Sequence, residues 1–319
     1  MPRPAFPRTI VEFQASFPDD GACRAYLFAC RWPDGFRCPR CGSADATELP
    51  RRLLWQCVSC RHQTSVTAGT VLHRTRTPLH LWFWAAYLMT TATPGISATQ
   101  LGRQLGIDRH ETTWVILHKL RRAMVNPDRT LLHGTVEVDE CYIGGQEVGL
   151  RGGRARGAKA LVVIAVQAHG AGCGRVRMQV IPDASGNTLR AFIAATIAEG
   201  TTICTDGWQG YHGLDAVGYL HDRRSQRAAR ALGEDPGELL PRVHRVISNL
   251  KSWLLGTHHG VSAEHLQVYL DEYVFRFNRR RVPMAAFQTL LGLGTNQPPT
   301  THHQIVTTGP GTRKSPQRS

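Results

Sequence analysis

No apolar stretch of this 319-residue chain is long enough to cross a bilayer: the longest run, Leu81 to Met89, is about half of the roughly 20 residues that a helical span needs. The opening MPRPAFPRTI lacks the apolar core of a secretory leader, so a cytoplasmic protein is expected. Acidic residues are short, 24 Asp plus Glu against 38 Lys plus Arg, and most of the cations are arginine. The resulting charge of +14 favours a polyanionic partner, because each neutralised phosphate releases condensed counterions. Nucleic acid leads that list and an anionic membrane surface follows. Internal repeats are absent, which excludes solenoids and propellers. Cysteine, by contrast, is present nine times. In a cytosolic chain these thiols read as metal ligands or buried side chains rather than disulfides. The length suggests about two domains, and 42% hydrophobic content is enough for a sizeable core.

Residues 1–36 read as short amino-terminal helices with a packing role. Cys38-Pro-Arg-Cys41 and Cys57-Val-Ser-Cys60 follow, fifteen residues apart. Two such knuckles let four thiolates close a tetrahedron around one Zn2+ with no open position, so the metal is structural and residues 37–72 form a zinc ribbon. Arg37, Arg40, Arg51, Arg52 and Arg61 surround it, consistent with a module that touches DNA. Residues 76–126 are helical. Leu79 to Met89 is apolar nearly all round and hence a buried helix. Ser97 then caps a short helix, Gly106 makes a turn, and a second helix starts near Arg109, which is helix-turn-helix spacing. Arg109, His110, Thr112 and Thr113 would open the recognition helix and meet DNA.

After Asn126-Pro127 the composition turns to strands. Val136 and Val138 alternate with Glu137 and Asp139 in TVEVDECYIGG, a strand that aims acids away from its apolar side. Asp139 alone is equally well a solvent-facing polar residue. ALVVIAVQ (160–167) and RVRMQVI (175–181) are further strands, Leu189 to Ile197 an amphipathic helix, and Thr201 to Thr205 a short strand ending at Asp206. Three antiparallel strands leading into a strand-helix-strand unit predict a ribonuclease-H-like α/β domain over residues 132–290, within a multidomain α+β protein. Residues 144–157 and 221–236 read as connections, and 294–319 as a disordered basic tail. In this topology the strands bearing Asp139 and Asp206 are neighbours. Two carboxylates so placed can hold a pair of Mg2+ or Mn2+ ions, which activate a water or 3′-hydroxyl and stabilise the leaving oxygen of a phosphodiester.

The sequences VEVDECYIGG, TDGWQGY and SNLKSWLLGTHHGVSAEHLQVYLDEYVFRFNRR resemble insertion-sequence transposases of the DDE superfamily, in the ISXO-two-like group, whose amino-terminal zinc ribbon resembles RWPDGFRCPRCG. The resemblance runs over roughly residues 10 to 290. It implies cleavage of insertion-sequence ends and transfer of the 3′-OH strand to target DNA. The implied partners are double-stranded DNA, as terminal inverted repeats and target, and a second or further copy of the chain. A cytoplasmic, nucleoid-associated location follows from that activity.

The family's third catalytic Glu, seven residues before a Lys or Arg, is missing. Aligned on Lys251, that position holds His244. Seven residues turn a helix by about 700°, so His244 and Lys251 share a flank. Asn249 is the alternative third residue and projects from the other side. Lys251 would hold a phosphate near the scissile bond, and Arg279 and Arg280 would add cationic contacts to DNA. Trp208 and Tyr211 serve either base stacking or packing. The missing Glu keeps a second reading open, a non-catalytic DNA-binding regulator or domesticated transposase relative.

Overall fold

The computed structural model describes residues 5–126, 128–144, 159–233, 235 and 238–307. Two compact units divide the chain: the first holds residues up to Asn126 together with Arg279–Val306, and the second holds the rest up to Asn278. In the first unit, Thr9 and Asp19 accept backbone N–H groups at the starts of α1 (Ile10–Ser16) and α2 (Asp20–Arg31), so a side-chain oxygen caps each helix. Next comes a three-stranded antiparallel ribbon, β1 (Ala46–Leu49), β2 (Leu54–Cys57) and β3 (Gln63–Thr64). Phe28 of α2 and Trp32, the residue that caps its end, pack on Trp55 of β2, and with Phe36 they form the ribbon's small apolar core.

The buried helix expected from residue 79 is α3 (Leu79–Thr91). The predicted helix pair is α4 (Ala98–Leu105) and α5 (His110–Ala123). Ser97 Oγ caps α4, accepting from Gln100 N at 3.2 Å, and Gly106 ends it at φ +65°, a conformation that favours glycine. Gly102 lets the turn close, because a Cβ there would stand 2.8 Å from the Ile107 carbonyl oxygen.

The second unit is a five-stranded sheet built from β4 (Thr135–Ile143), β5 (Ala160–His169), β6 (Gly172–Ile181), β7 (Thr202–Thr205) and β8 (Leu220–Arg223). Its order is β6-β5-β4-β7-β8: the first three strands are antiparallel, whereas β7 runs parallel to β4 and β8 parallel to β7. The helix α6 (Gly186–Thr196) connects β6 to β7 and covers one face, where Leu189, Phe192 and Ile193 meet Val136, Val138 and Val163. α8 (Pro241–His258) and α9 (Leu266–Asn278) cover the other face, with Val243, Val246, Leu250 and Leu270 against Val162, Ile164 and Val166. This mixed sheet, covered on both sides, is compatible with the ribonuclease-H-like arrangement that the element order suggests.

Three sequence-based expectations need correction. The stretch 221–236, read as a connection, contains most of the edge strand β8 and the short helix α7 (Gln226–Ala231). Leu220-His221-Asp222-Arg223 has no apolar alternation; backbone pairing with β7 makes it a strand. The sheet-bearing second unit stops at Asn278, whereas the second domain was expected to run to residue 290, because α10 (Pro283–Asn296) packs in the first unit, where Phe287 meets Phe13, Phe17 and Phe83. The region from 294 is not disordered throughout: α10 continues to Asn296, and α11 (His302–Thr307) buries Ile305. The expected loop falls almost wholly outside the described residues, as does the end of the tail beyond 307.

Candidate active site

Glu137, Asp139 and Cys141 share the face of β4 that α8 covers, since residues two apart on a strand point the same way. β4 pairs with β7 through Glu137 and Cys204. Asp139, within β4, and Asp206, one residue past the end of β7, each follow two residues beyond that pair, at the same level along the two strands. Parallel neighbours are only about 4.8 Å apart, so the register sets the backbone of Asp206, just past the end of β7, beside β4 near Asp139. Asp206 Oδ1 accepts from Trp208 N at 3.0 Å, a turn that carries the chain away from the sheet through Gly207 at φ +81°.

α8 brings a side chain to Asp139. His244 Nε2 stands 3.3 Å from Asp139 Oδ2, with the imidazole about one-third exposed and the carboxylate 16% exposed. The helix places His244 beside the buried stripe Val243, Val246, Leu250 and Leu254, at the edge of the packed surface. Lys251, two turns on, is exposed, and its charge reaches Cys141 on the Asp139 face. Burial pushes the Cys141 thiol up to about 12 despite Lys251, so this cysteine is a neutral neighbour of the acids. Asn249, the rival third residue, is exposed, and five residues from His244 it lies about 140° around the helix.

The alternation predicts that Glu137 is an acid aimed outward, and the structure overturns that. The residue is wholly buried, and its carboxylate accepts from Arg242 N at 2.8 Å, Val243 N at 2.9 Å and Arg242 Nη1 at 2.8 Å. Period-2 patterning shows which residues share a face, but not whether a helix covers that face. On the opposite face, Tyr211 is buried and donates its hydroxyl to Glu140 Oε2 at 2.6 Å. Burial, reinforced by the Glu140 charge, holds that phenol well above its ordinary pKa, so it remains a donor. Trp208 donates Nε1–H to the Ala184 carbonyl at 3.1 Å. Of the two uses open to Tyr211, packing is the one its burial allows; Trp208 is half-buried beside it.

In the ribbon, the four Sγ atoms of Cys38, Cys41, Cys57 and Cys60 lie within 4.8 Å of one another, with 3.6 Å between Cys38 and Cys60 and 3.5 Å between Cys41 and Cys57. Tetrahedral Zn2+ with bonds of about 2.3 Å needs sulfur separations of about 3.8 Å, so this donor set fits the ion. Backbone N–H groups of Cys60 and Ser59 point at the Cys57 sulfur and, with the neighbouring thiols, draw it down to about 6. Burial opposes the same shift at Cys38, yet the Cys41 and Arg40 N–H groups still lower it. Thiolates are what the metal binds. Each knuckle closes on a residue with positive φ, Gly42 at +74° in the first and Arg61 at +60° in the second.

The residues expected to meet DNA fare unequally. Arg109 and His110 are exposed at the start of α5, with Arg109 Nη2 2.8 Å from Glu111 Oε2, and Thr112 is half-buried. Thr113 is wholly buried, donates its hydroxyl to the His110 carbonyl at 2.8 Å and packs beside Gly102, so it is not available to a nucleic acid. Arg280 is exposed and Arg279 half-buried, both in the turn after α9 rather than on a continuing helix.

Compared with known protein families, residues 131–278 match the ISXO2-like transposase domain and residues 18–63 match the transposase zinc-ribbon domain. No functionally curated protein matches the chain. The first match ends where the second structural unit ends. The second begins ahead of residue 37, where the ribbon was expected to start, and it takes in α2 and its C-cap, which supply Phe28 and Trp32 to the ribbon core.

Proposed function

This chain carries an ISXO2-like transposase domain behind a transposase zinc ribbon, and from that premise we propose that it cleaves the ends of an insertion element and joins the freed 3′-hydroxyl to target DNA. The observation that carries the chemical reading is the 3.3 Å approach of His244 to Asp139 in the middle of β4, with Asp206 following directly after the adjacent parallel strand β7. An octahedral ion with bonds of about 2.1 Å holds neighbouring ligands about 3.0 Å apart. The 3.3 Å between His244 Nε2 and Asp139 Oδ2 fits one such ion shared by the two side chains. When bound, a pair of divalent cations would generate the nucleophile and neutralise the leaving oxygen of the phosphodiester.

The chain's own groups do the rest. Asp139 and Asp206 supply the anionic oxygens, and His244 stands where related enzymes carry Glu. Exchanging an anion for a neutral imidazole lowers the attraction for Mg2+ and favours Mn2+ or a softer ion. Exposed Lys251 reaches a phosphate beside the site as a point charge. Arg109, His110 and the arginines of the ribbon neutralise the DNA backbone, with Arg279 and Arg280 as further cationic contacts. Two or more copies act together on the element ends.

The absence of Glu at the third position supports one other reading, a DNA-binding regulator without catalysis. Purified protein, element-end DNA and Mg2+ or Mn2+, scored for nicked and joined products, separates the two. Cleavage that survived Asp139→Ala would sink the catalytic assignment. Binding without any cleavage in either metal would favour the regulator.

A further inference from the structure

We propose that Glu137 is a positioning residue that fixes the start of α8 so that His244 faces Asp139; this rests on the reading of Asp139, Asp206 and His244 as a metal site. Helix α8 opens with Pro241, and the residue before it, Leu240, offers no side-chain acceptor. The first N–H groups of a helix have no partner within it and favour an anion. Here that anion comes from the sheet: the buried Glu137 carboxylate takes the N–H groups of Arg242 and Val243 together with the Arg242 guanidinium. Arg242 is held in turn by the carbonyls of Gly172 at 3.1 Å and Gly170 at 2.8 Å, at the turn between β5 and β6. Arg224 Nη1 donates to the Leu239 carbonyl at 2.8 Å just before the helix.

His244 follows Val243 directly, so the rotation and height of the imidazole are set by where Glu137 pins the first turn. Glu137 stands two residues before Asp139 on the same strand face, so one rigid strand carries both the anchor of α8 and the acid that His244 must meet. Three donors occupy the carboxylate, which leaves it poorly placed as a metal ligand. A buried carboxylate is costly in a core that could be apolar, and its pairing with Arg242 offsets that cost without explaining why an acid stands there. Positioning does explain it.

The test is Mn2+ affinity of the zinc-loaded, full-length protein, with thermal melting as the control for folding. Glu137→Gln puts an amide NH2 against Arg242. Arg242→Met removes the guanidinium but keeps both backbone N–H contacts, and it decides the matter if Glu137→Gln does not fold. Each should weaken Mn2+ binding, by roughly tenfold for Glu137→Gln and less for Arg242→Met. Neither should weaken it further in a His244→Ala background, because the anchor acts through the imidazole. Unchanged affinity in a folded variant, or a loss of equal size with and without His244, overturns the positioning role. Asp139→Asn binding Mn2+ as tightly as wild type would instead overturn the site itself, and the positioning role with it.

Discussion

His244 Nε2 and Asp139 Oδ2 lie 3.3 Å apart, joining the second turn of α8 to the middle of β4. An imidazole beside a carboxylate can be a simple hydrogen-bonded pair or two ligands of one ion. The level arrangement of Asp139 and Asp206 favours the second use.

Metal choice should follow the charge at position 244. His244→Glu restores a third anion and should raise Mg2+-supported cleavage relative to Mn2+. His244→Ala should lower cleavage by roughly one to two orders of magnitude in either metal. Asn249→Ala, on the far side of the helix, should leave cleavage near wild type. Rates in the two metals, measured on pre-formed DNA complexes, check the ordering.

Zinc removal should act on one unit only. A chelator that strips the ribbon should abolish the ordered fold of β1–β3, because the core of Phe28, Trp32 and Trp55 is too small to hold it alone. Mn2+ binding at the acidic pair should persist. Heteronuclear NMR of zinc-stripped protein, followed by Mn2+ titration, reads both; loss of the second with the first would count against independent sites.

Within the ribbon, Arg61→Gly should stabilise the zinc-bound form by about 1 kcal/mol, because Arg61 occupies a left-handed backbone conformation at φ +60° that glycine adopts freely. Gly42→Ala should cost a similar amount at φ +74°. Chelator competition measures both as opposite shifts in zinc affinity.

In the helix pair, Gly102→Ala should lower the melting temperature and weaken DNA binding together, since its Cβ would press on the Ile107 carbonyl at 2.8 Å. Arg109→Ala should leave melting unchanged and reduce the salt dependence of DNA affinity by about one phosphate contact. Thr113→Val should disturb folding without a separate effect on DNA contacts, because the hydroxyl is buried against the His110 carbonyl.

Much of this protein could be read directly from residue order. The Cys-x2-Cys pairs announce a tetrahedral site because the ligands are adjacent in sequence, and the alternation of β4 to β6 announces strands because pleating is local. The Ser97 cap and Gly106 mark helix ends for the same reason. The strands bearing Asp139 and leading to Asp206 are expected to be neighbours, and β4 and β7 do pair in parallel. What sequence could not decide depends on which surfaces meet. Glu137 and Asp139 look alike on one strand face, yet the packing of α8 buries the first beneath its amino terminus and leaves the second facing His244. Thr113 looks like a DNA contact until α4 covers it. β8 carries no pattern of its own and exists because β7 offers an unpaired edge. Local rules fix an element's type and phase, whereas the use of a polar side chain is set by long-range packing, which determines whether water, a backbone N–H or a partner side chain stands opposite it.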